Sequence, residues 1–223
     1  SDGMPPEMAN MIVVVPFNDI EKFDAVIRKY RHELAGVIME PISYNQGCLP
    51  AKPEFLREVR RICTEVEVPL IFDEGLSGFR MCRAGAQGYY GVTPDVCTLA
   101  KALGGGVPIA AVCGRADIMR HFNPEGKVIM SGTYTGQLTT IMGALACQRE
   151  IAKPGFYEHI NALADRLYSG IREAIRVTRV PAVVQGIGAR FGIYLGVTEP
   201  VYTYRQATKC DREMEIRFLR ACV

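Results

Sequence analysis

Apolar residues follow two rhythms along this chain. Short unbroken runs have the length and β-branched content of buried strands: LAGVIME at Leu34–Glu40, VPLIF at Val68–Phe72, VCTL at Val96–Leu99 and IAAVC at Ile109–Cys113. A further β-branched run, Ile12–Val15, is ended by Pro16, and Val128–Met130 is another strand candidate. Between the strands the period changes to that of a helix. Phe55, Leu56, Val59 and Ile62 recur on one face of Pro53–Glu65, and Ile160, Leu163, Leu167 and Ile171 form a stripe along Tyr157–Val177. Asn18 or Asp19 is placed to cap a helix through about Lys29. Ala116–His121, Thr139–Ala152 and Asp211–Cys222 complete the helical segments. Strand–helix–strand alternation predicts parallel strands joined by right-handed crossovers, so the fold class is α/β: a mostly parallel sheet flanked by helices.

The pattern changes character at Pro181–Ala189, where Val183 and Val184 alternate with Gly186 and Gly188, before a strand at Phe191–Leu195. A boundary near 175–185 follows, giving a larger unit at 1–175 and a smaller one at 176–223 that stops early.

Composition narrows the class. Apolar residues make up 48% and charged residues 22%, which suits a globular core rather than a disordered chain. With 26 basic against 24 acidic residues and no basic block, composition gives no case for nucleic acid. No apolar run reaches the roughly 20 residues that span a bilayer. Asp2, Glu7, Asn18 and Asp19 interrupt any signal-peptide pattern, so the expectation is no membrane and a cytoplasmic chain, or one whose targeting segment is absent. The eight cysteines are scattered, without a CxxC pair, and the three histidines are remote from one another. Reduced thiols and no metal site are expected.

The candidate chemistry lies at strand ends. Ile71-Phe72-Asp73-Glu74 closes an apolar run with two carboxylates, and ligand sites in open α/β sheets lie at such carboxyl ends. An anionic Asp73 facing a pyridine ring keeps the ring nitrogen protonated, which makes the ring an electron sink. An acidic pair after a strand also occurs in nucleotide hydrolases, but the phosphate loop GxxxxGK[ST] is absent. Lys101 lies 28 residues after Asp73 and just before Gly104, Gly105 and Gly106. A lysine against a cofactor aldehyde can form a Schiff base and then carry a proton between two carbons. Glycines beside it let the backbone approach a bound group. Ser131–Gln137, SGTYTGQ, is a hydroxyl-rich turn ahead of a helix, and Thr133 is its best candidate for holding a phosphate. Arg80 can meet a substrate carboxylate or pair at the surface.

Taken in order, VVVPFND (13–19), GVIMEPISYNQG (36–47), PLIFDEGLSGFR (69–80), AQGYYGVTPDVCTLAKALGGGVPIAAVCG (86–114), SGTYTG (131–136) and PGFYEHI (154–160) resemble the class III, or omega, aminotransferases of fold-type I pyridoxal-phosphate enzymes, and among them the glutamate-1-semialdehyde aminomutases. The resemblance implies pyridoxal 5'-phosphate as cofactor, Lys101 as the Schiff-base lysine, Asp73 at the pyridine nitrogen, and Thr133 at the phosphate held by the neighbouring subunit. Glu40 and Asn45 match positions near the active site. It implies a homodimer with the cofactor at the subunit interface, and transfer of an amino group between an amine or amino acid and an oxo compound. An aminomutase, which moves the group within one molecule, is the alternative reaction. A non-catalytic fragment or partner subunit is the alternative class. Two departures stand out: Gly75 replaces the usual valine, and Gln137-Leu138 replaces Asn-Pro. Family members are longer, so the fold is expected to be incomplete. The glycine/serine turn that first holds the phosphate and the aromatic residue over the ring would come from a missing amino-terminal half or a complementary chain.

Overall fold

The computed structural model describes residue 3 and residues 5–222; Asp2, cited above, lies outside them. A short helix α1 (Pro6–Ala9) and an extended stretch lead to α2 (Ile20–Tyr30). Asp19 caps α2, its carboxylate accepting from the Lys22 N–H at 3.1 Å. Then come β1 (Val37–Met39), a small hairpin β2 (Ile42–Ser43) and β3 (Leu49–Pro50), α3 (Pro53–Glu65), β4 (Leu70–Glu74), α4 (Gly85–Tyr90) and β5 (Val96–Leu99). A single 3₁₀ turn at Lys101–Leu103 precedes β6 (Ala111–Gly114) and α5 (Ala116–Met119). The chain continues through α6 (Leu138–Ile151), α7 (Phe156–Thr178), the hairpin β7 (Ala182–Ile187) and β8 (Arg190–Leu195), α8 (Tyr204–Ala207) and α9 (Arg212–Ala221).

The main sheet has the order β1-β4-β5-β6. The first three strands are parallel and β6 is antiparallel to β5, so the sheet is mixed at one edge. Apolar patterning does not distinguish the two directions, which is why β6 was legible as a strand and its sense was not. Three expectations shift. Leu34–Glu40 yields only three strand residues, because Gly36 and the residue before Pro41 leave the ladder. Val128–Met130 is no strand, making one isolated bridge from Val128 to Phe122. Ala182–Ile187, read only as a change of character, is a strand paired along its length with β8.

One face of the sheet carries the core. Leu70 and Phe72 of β4 are fully buried beneath Phe55, Leu56, Val59, Ile62 and Cys63 of α3 and Phe23 and Ile27 of α2. The helical spacing of those five α3 residues puts them on one side, and Pro53 in its first turn costs no hydrogen bond. Burying such a side chain contributes about 1.5–3 kcal/mol. Alternation sends Ile71 and Asp73 to the opposite face, with Ile38 and Thr98 beside them in register. That face is open: Ile38 is 67% exposed.

The β7–β8 hairpin docks on the β2–β3 loop. The Tyr194 hydroxyl accepts from the Cys48 N–H at 2.7 Å and donates to the Gln46 carbonyl at 3.1 Å. Burial pushes the Tyr194 phenol up to about 12, so it keeps its donor proton near neutrality. The Gln185 amide donates to the carbonyls of Cys48 and Val201 and accepts from the Val201 N–H. All eight cysteines are unpaired. Among the described residues no helix is long and apolar enough to cross a membrane, and no cluster of metal-ligating side chains occurs.

Candidate active site

Three parallel strands end on one edge of the sheet, and the candidate residues follow those ends. Glu40 follows β1, Asp73 and Glu74 end β4, and Lys101 follows β5. Asp73 points to the open face. Its Oδ1 accepts from the Thr98 hydroxyl, its register partner on β5, at 3.0 Å, and from the Gly75 N–H at 3.0 Å. The two bonds fix the carboxylate and leave Oδ2 without a partner among the described residues. Thr98 was not singled out by sequence. Its signal lay in the register of two adjacent strands, which the sequence does not print.

Glu74 faces the other way and is completely buried. Oε2 accepts from the Ser77 hydroxyl at 3.1 Å and the Ala86 N–H at 2.5 Å, and Oε1 from the Gln87 N–H at 3.3 Å and its side-chain amide at 2.9 Å. Four donors compensate the buried charge. The adjacent carboxylates therefore divide their work. Asp73 faces the open side of the sheet, and Glu74 ties the start of α4, and with it the loop 75–84, to the strand end.

Lys101 is exposed, with φ at +48° in the left-handed region. Its carbonyl accepts from the N–H groups of Gly104 and Gly105 at 3.1 and 3.3 Å. The turn is pinned to α6: the Gln148 amide donates to the Leu103 carbonyl at 3.0 Å, and the Cys147 thiol lies 3.5 Å from the Ala102 carbonyl. Gly105 has φ +58°, and a Cβ there would fall 2.6 Å from Cys147 Sγ. Glycine is required at this position both for its dihedral and for the close approach.

Gly75 joins the two halves of the site. A Cβ placed on it would sit 3.1 Å from Asp73 Oδ1 and 3.6 Å from Lys101 Nζ. The carboxylate and the amine thus border the same small volume, which the absent side chain leaves open. This is an arrangement that a group bearing a basic ring nitrogen and an aldehyde fits.

The other candidates are placed differently. Glu40 and Asn45 are brought together: Glu40 Oε1 accepts from Asn45 Nδ2 at 2.7 Å and Oε2 from the Tyr44 N–H at 3.0 Å, closing the loop after β1. Thr133 lies apart, in an exposed turn where the Thr135 N–H donates to the Gly132 carbonyl. No side chain caps the start of α6, so helix capping does not account for this hydroxyl-rich turn. Arg80 lines a cleft of about 420 Å³ with Lys101, Gly105, Gly106, Phe79 and Phe156 among its walls.

Known proteins with this architecture agree with one another. An omega-transaminase from Sphaerobacter thermophilus is 35% identical, with a TM-score of 0.87 over 93% of this chain and 47% of that one. A transaminase with PLP bound is 31% identical, with a TM-score of 0.82 over 87% of this chain and 46% of that one. A glutamate-1-semialdehyde aminomutase from Pseudomonas aeruginosa PAO1, in complex with PMP, is 27% identical, with a TM-score of 0.81 over 95% of this chain and 49% of that one. The chain therefore spans about half the length of these relatives, and no single subfamily among them dominates. Residues 6–209 match the family model described as Aminotransferase class-III, and the chain belongs to that family.

Proposed function

We propose that the chain is the lysine-bearing part of a pyridoxal-phosphate-dependent aminotransferase, moving an amino group from an amino acid or amine to an oxo compound. The observation that carries this reading is the convergence of Asp73 and Lys101 on the space over Gly75, in a chain of the class-III family. Pyridoxal phosphate, when bound, supplies the electron sink that stabilises a carbanion at the substrate carbon. Asp73, held by Thr98 and the Gly75 N–H, orients its carboxylate toward the ring nitrogen and keeps a proton there. Lys101 supplies the amine that anchors the aldehyde. With the cofactor held there, Lys101 would be the base nearest both reacting atoms and could carry a proton from the substrate carbon to the cofactor carbon, across the nitrogen between them. Glu40 and Asn45 shape the rim of the site from the adjacent strand end. Thr133, on its exposed turn, is suited to hold a phosphate bound by a second subunit.

The same reading includes a cytoplasmic homodimer with a shared site, or pairing with a complementary amino-terminal chain. It divides the chain into part of a cofactor-binding domain at 1–175 and the beginning of a small domain at 176–223. The higher identity to the omega-transaminase, 35% against 27% for the aminomutase, favours amino-group transfer over internal migration.

The test is the visible spectrum of the purified protein with added pyridoxal phosphate, followed by borohydride reduction and peptide mapping. An adduct on Lys101 that disappears in Lys101→Met is expected. An adduct elsewhere, or none on a folded chain, refutes the assignment for this chain.

A further inference from the structure

Cys97 on β5 and Cys113 on β6 are register partners in the antiparallel pair of strands that brackets the lysine turn. Opposed residues in such a pair point their side chains to the same face. Their Cα atoms lie about 4.5–5.5 Å apart, inside the range of about 4.4–6.8 Å that a disulfide bridges. Both are free thiols. Burial pushes the Cys97 thiol up, and the nearby Cys113 and Glu74 add to the rise, so the two sulfurs share one electrostatic neighbourhood. Among the described strands no other two cysteines face each other across a ladder.

Exposure divides the pair. Cys97 is 7% exposed and packs in the core with Leu70 and Phe72, whereas Cys113 is open to solvent. Strand β6 is the last of its sheet, with no neighbour on its far side among the described residues. It is therefore free to yield the roughly 1 Å by which opposed Cβ atoms exceed the usual separation in a disulfide. A bridge closed against that resistance is readily reduced, which suits a reversible link. The segment between the two sulfurs carries the candidate chemistry: Thr98, which holds Asp73, then Lys101 and the three glycines Gly104, Gly105 and Gly106. Its tip is tied to α6 through Gln148. A covalent bond across its two stems removes freedom from the whole loop.

We propose that Cys97 and Cys113 form a reversible disulfide, a thiol-modification site that staples β6 to β5 and closes the loop bearing Lys101. The oxidant is a small-molecule disulfide. The exposed Cys113, as thiolate, attacks one sulfur of that disulfide. Its S–S bond breaks, one small thiolate leaves, and a mixed disulfide forms on Cys113. The Cys97 thiol then gives its proton to solvent and its sulfur attacks Cys113 Sγ, breaking the mixed disulfide and releasing the second small thiolate. Each leaving thiolate takes up a proton. Two protein thiols are oxidised and one disulfide is reduced to two thiols. The pairing stands on strand register and is independent of the aminotransferase reading.

The experiment incubates the full folded chain with glutathione disulfide, alkylates the remaining thiols and maps the peptides by mass spectrometry without reduction. The expected product has lost two hydrogens and gives one dominant linked pair of peptides, containing Cys97 and Cys113, which dithiothreitol separates. Hydrogen exchange at the bonded amides of Leu103, Gly104 and Gly105 is expected to slow about 10-fold or more on oxidation and to recover on reduction. Cys97→Ser is expected to stop at a glutathione adduct on Cys113. Cys113→Ser is expected to give neither the bridge nor an adduct on Cys97, and its exposed position makes it the decisive variant if Cys97→Ser does not fold. A wild-type adduct on Cys113 that never resolves, Cys97 linked to a different cysteine, thiols that do not react, or a linked pair that appears only in urea overturns the proposal. Exchange unchanged by the bridge overturns it too.

Discussion

Gly105→Ala should detach the lysine turn from the helix beneath it. The new methyl group must enter a space where Cys147 Sγ is 2.6 Å and Cys147 Cβ 3.1 Å away, at a φ of +58°. The dihedral costs about 1–2 kcal/mol for a residue with a Cβ. The overlap with α6 adds about 1–3 kcal/mol, the range for forcing a methyl into packed surroundings. Together they predict a loss of roughly 2–5 kcal/mol if the turn stays docked. The chain can avoid part of that cost by lifting residues 101–106 away from α6, breaking the Gln148–Leu103 bond of 3.0 Å and moving Lys101. Urea unfolding reads the first outcome, and borohydride trapping at Lys101 reads the second. The companion variant Gly105→Ala/Cys147→Ala removes the sulfur but neither the Cβ at 3.1 Å nor the strained dihedral, so it should regain the part due to the sulfur and no more. Stability within about 0.5 kcal/mol of wild type together with unchanged trapping would refute the reasoning. So would a double variant no better than the single one.

Three more outcomes are expected. Glu74→Gln places an amide against four donors that a carboxylate satisfied, and should cost about 3 kcal/mol or more in urea unfolding; a neutral result would show that the anchor of α4 lies elsewhere. Asp95, buried at the opposite end of the sheet, feels burial pushing its carboxyl up. The Leu70 N–H at 2.8 Å and the Arg60 and Arg115 guanidinia at 2.7 and 3.0 Å outweigh it and hold the group below its ordinary value of 3.8. Its contribution is therefore present above that value and lost as the pH falls through the lower folded value; Asp95→Asn should cost about 2–3 kcal/mol at pH 7 and flatten the acid limb of a stability–pH curve, and an unchanged limb would exclude Asp95 as its source. Thr98→Val deletes one of the two donors on Asp73 Oδ1, and should lower pyridoxal-phosphate affinity about 3- to 10-fold, read by fluorescence titration, with stability little altered; equal affinity would remove Thr98 from the site.

Much of the sheet and of the candidate site was legible because both rest on local pattern. Leu70, Phe72 and the α3 stripe follow from a period of two beside a period near 3.6. Asp73 and Lys101 were found because they stand where apolar runs stop, and the sheet brings such ends to one edge. What escaped depends on pairing between distant segments. The antiparallel sense of β6 is a property of the connection after the glycines, not of its residues. Thr98 and Glu74 acquired roles only once register and the packing of α4 were known. Arg80 read more readily as a surface pair than as a substrate contact, and no surface pair forms among the described residues: its Nε is buried without a partner. Val128–Met130 carries strand-like residues yet meets no ladder, so its propensity had nothing to pair with.

The docking of the β7–β8 hairpin on the β2–β3 loop sets an order of assembly. The Tyr194 hydroxyl meets Cys48 across 146 residues of chain, and Gln185 meets it across 137. Contacts so remote in sequence form after the local ones, because the intervening loop must first be closed. The α2–α3 layer and the parallel strands can therefore condense while the segment containing Asn45 still lacks its support. During synthesis, the loop holding Asn45 would stay loose until β7 and β8 had left the ribosome, and a polypeptide stopped after α7 would carry Asp73 and Lys101 beside a loop with nothing to rest on.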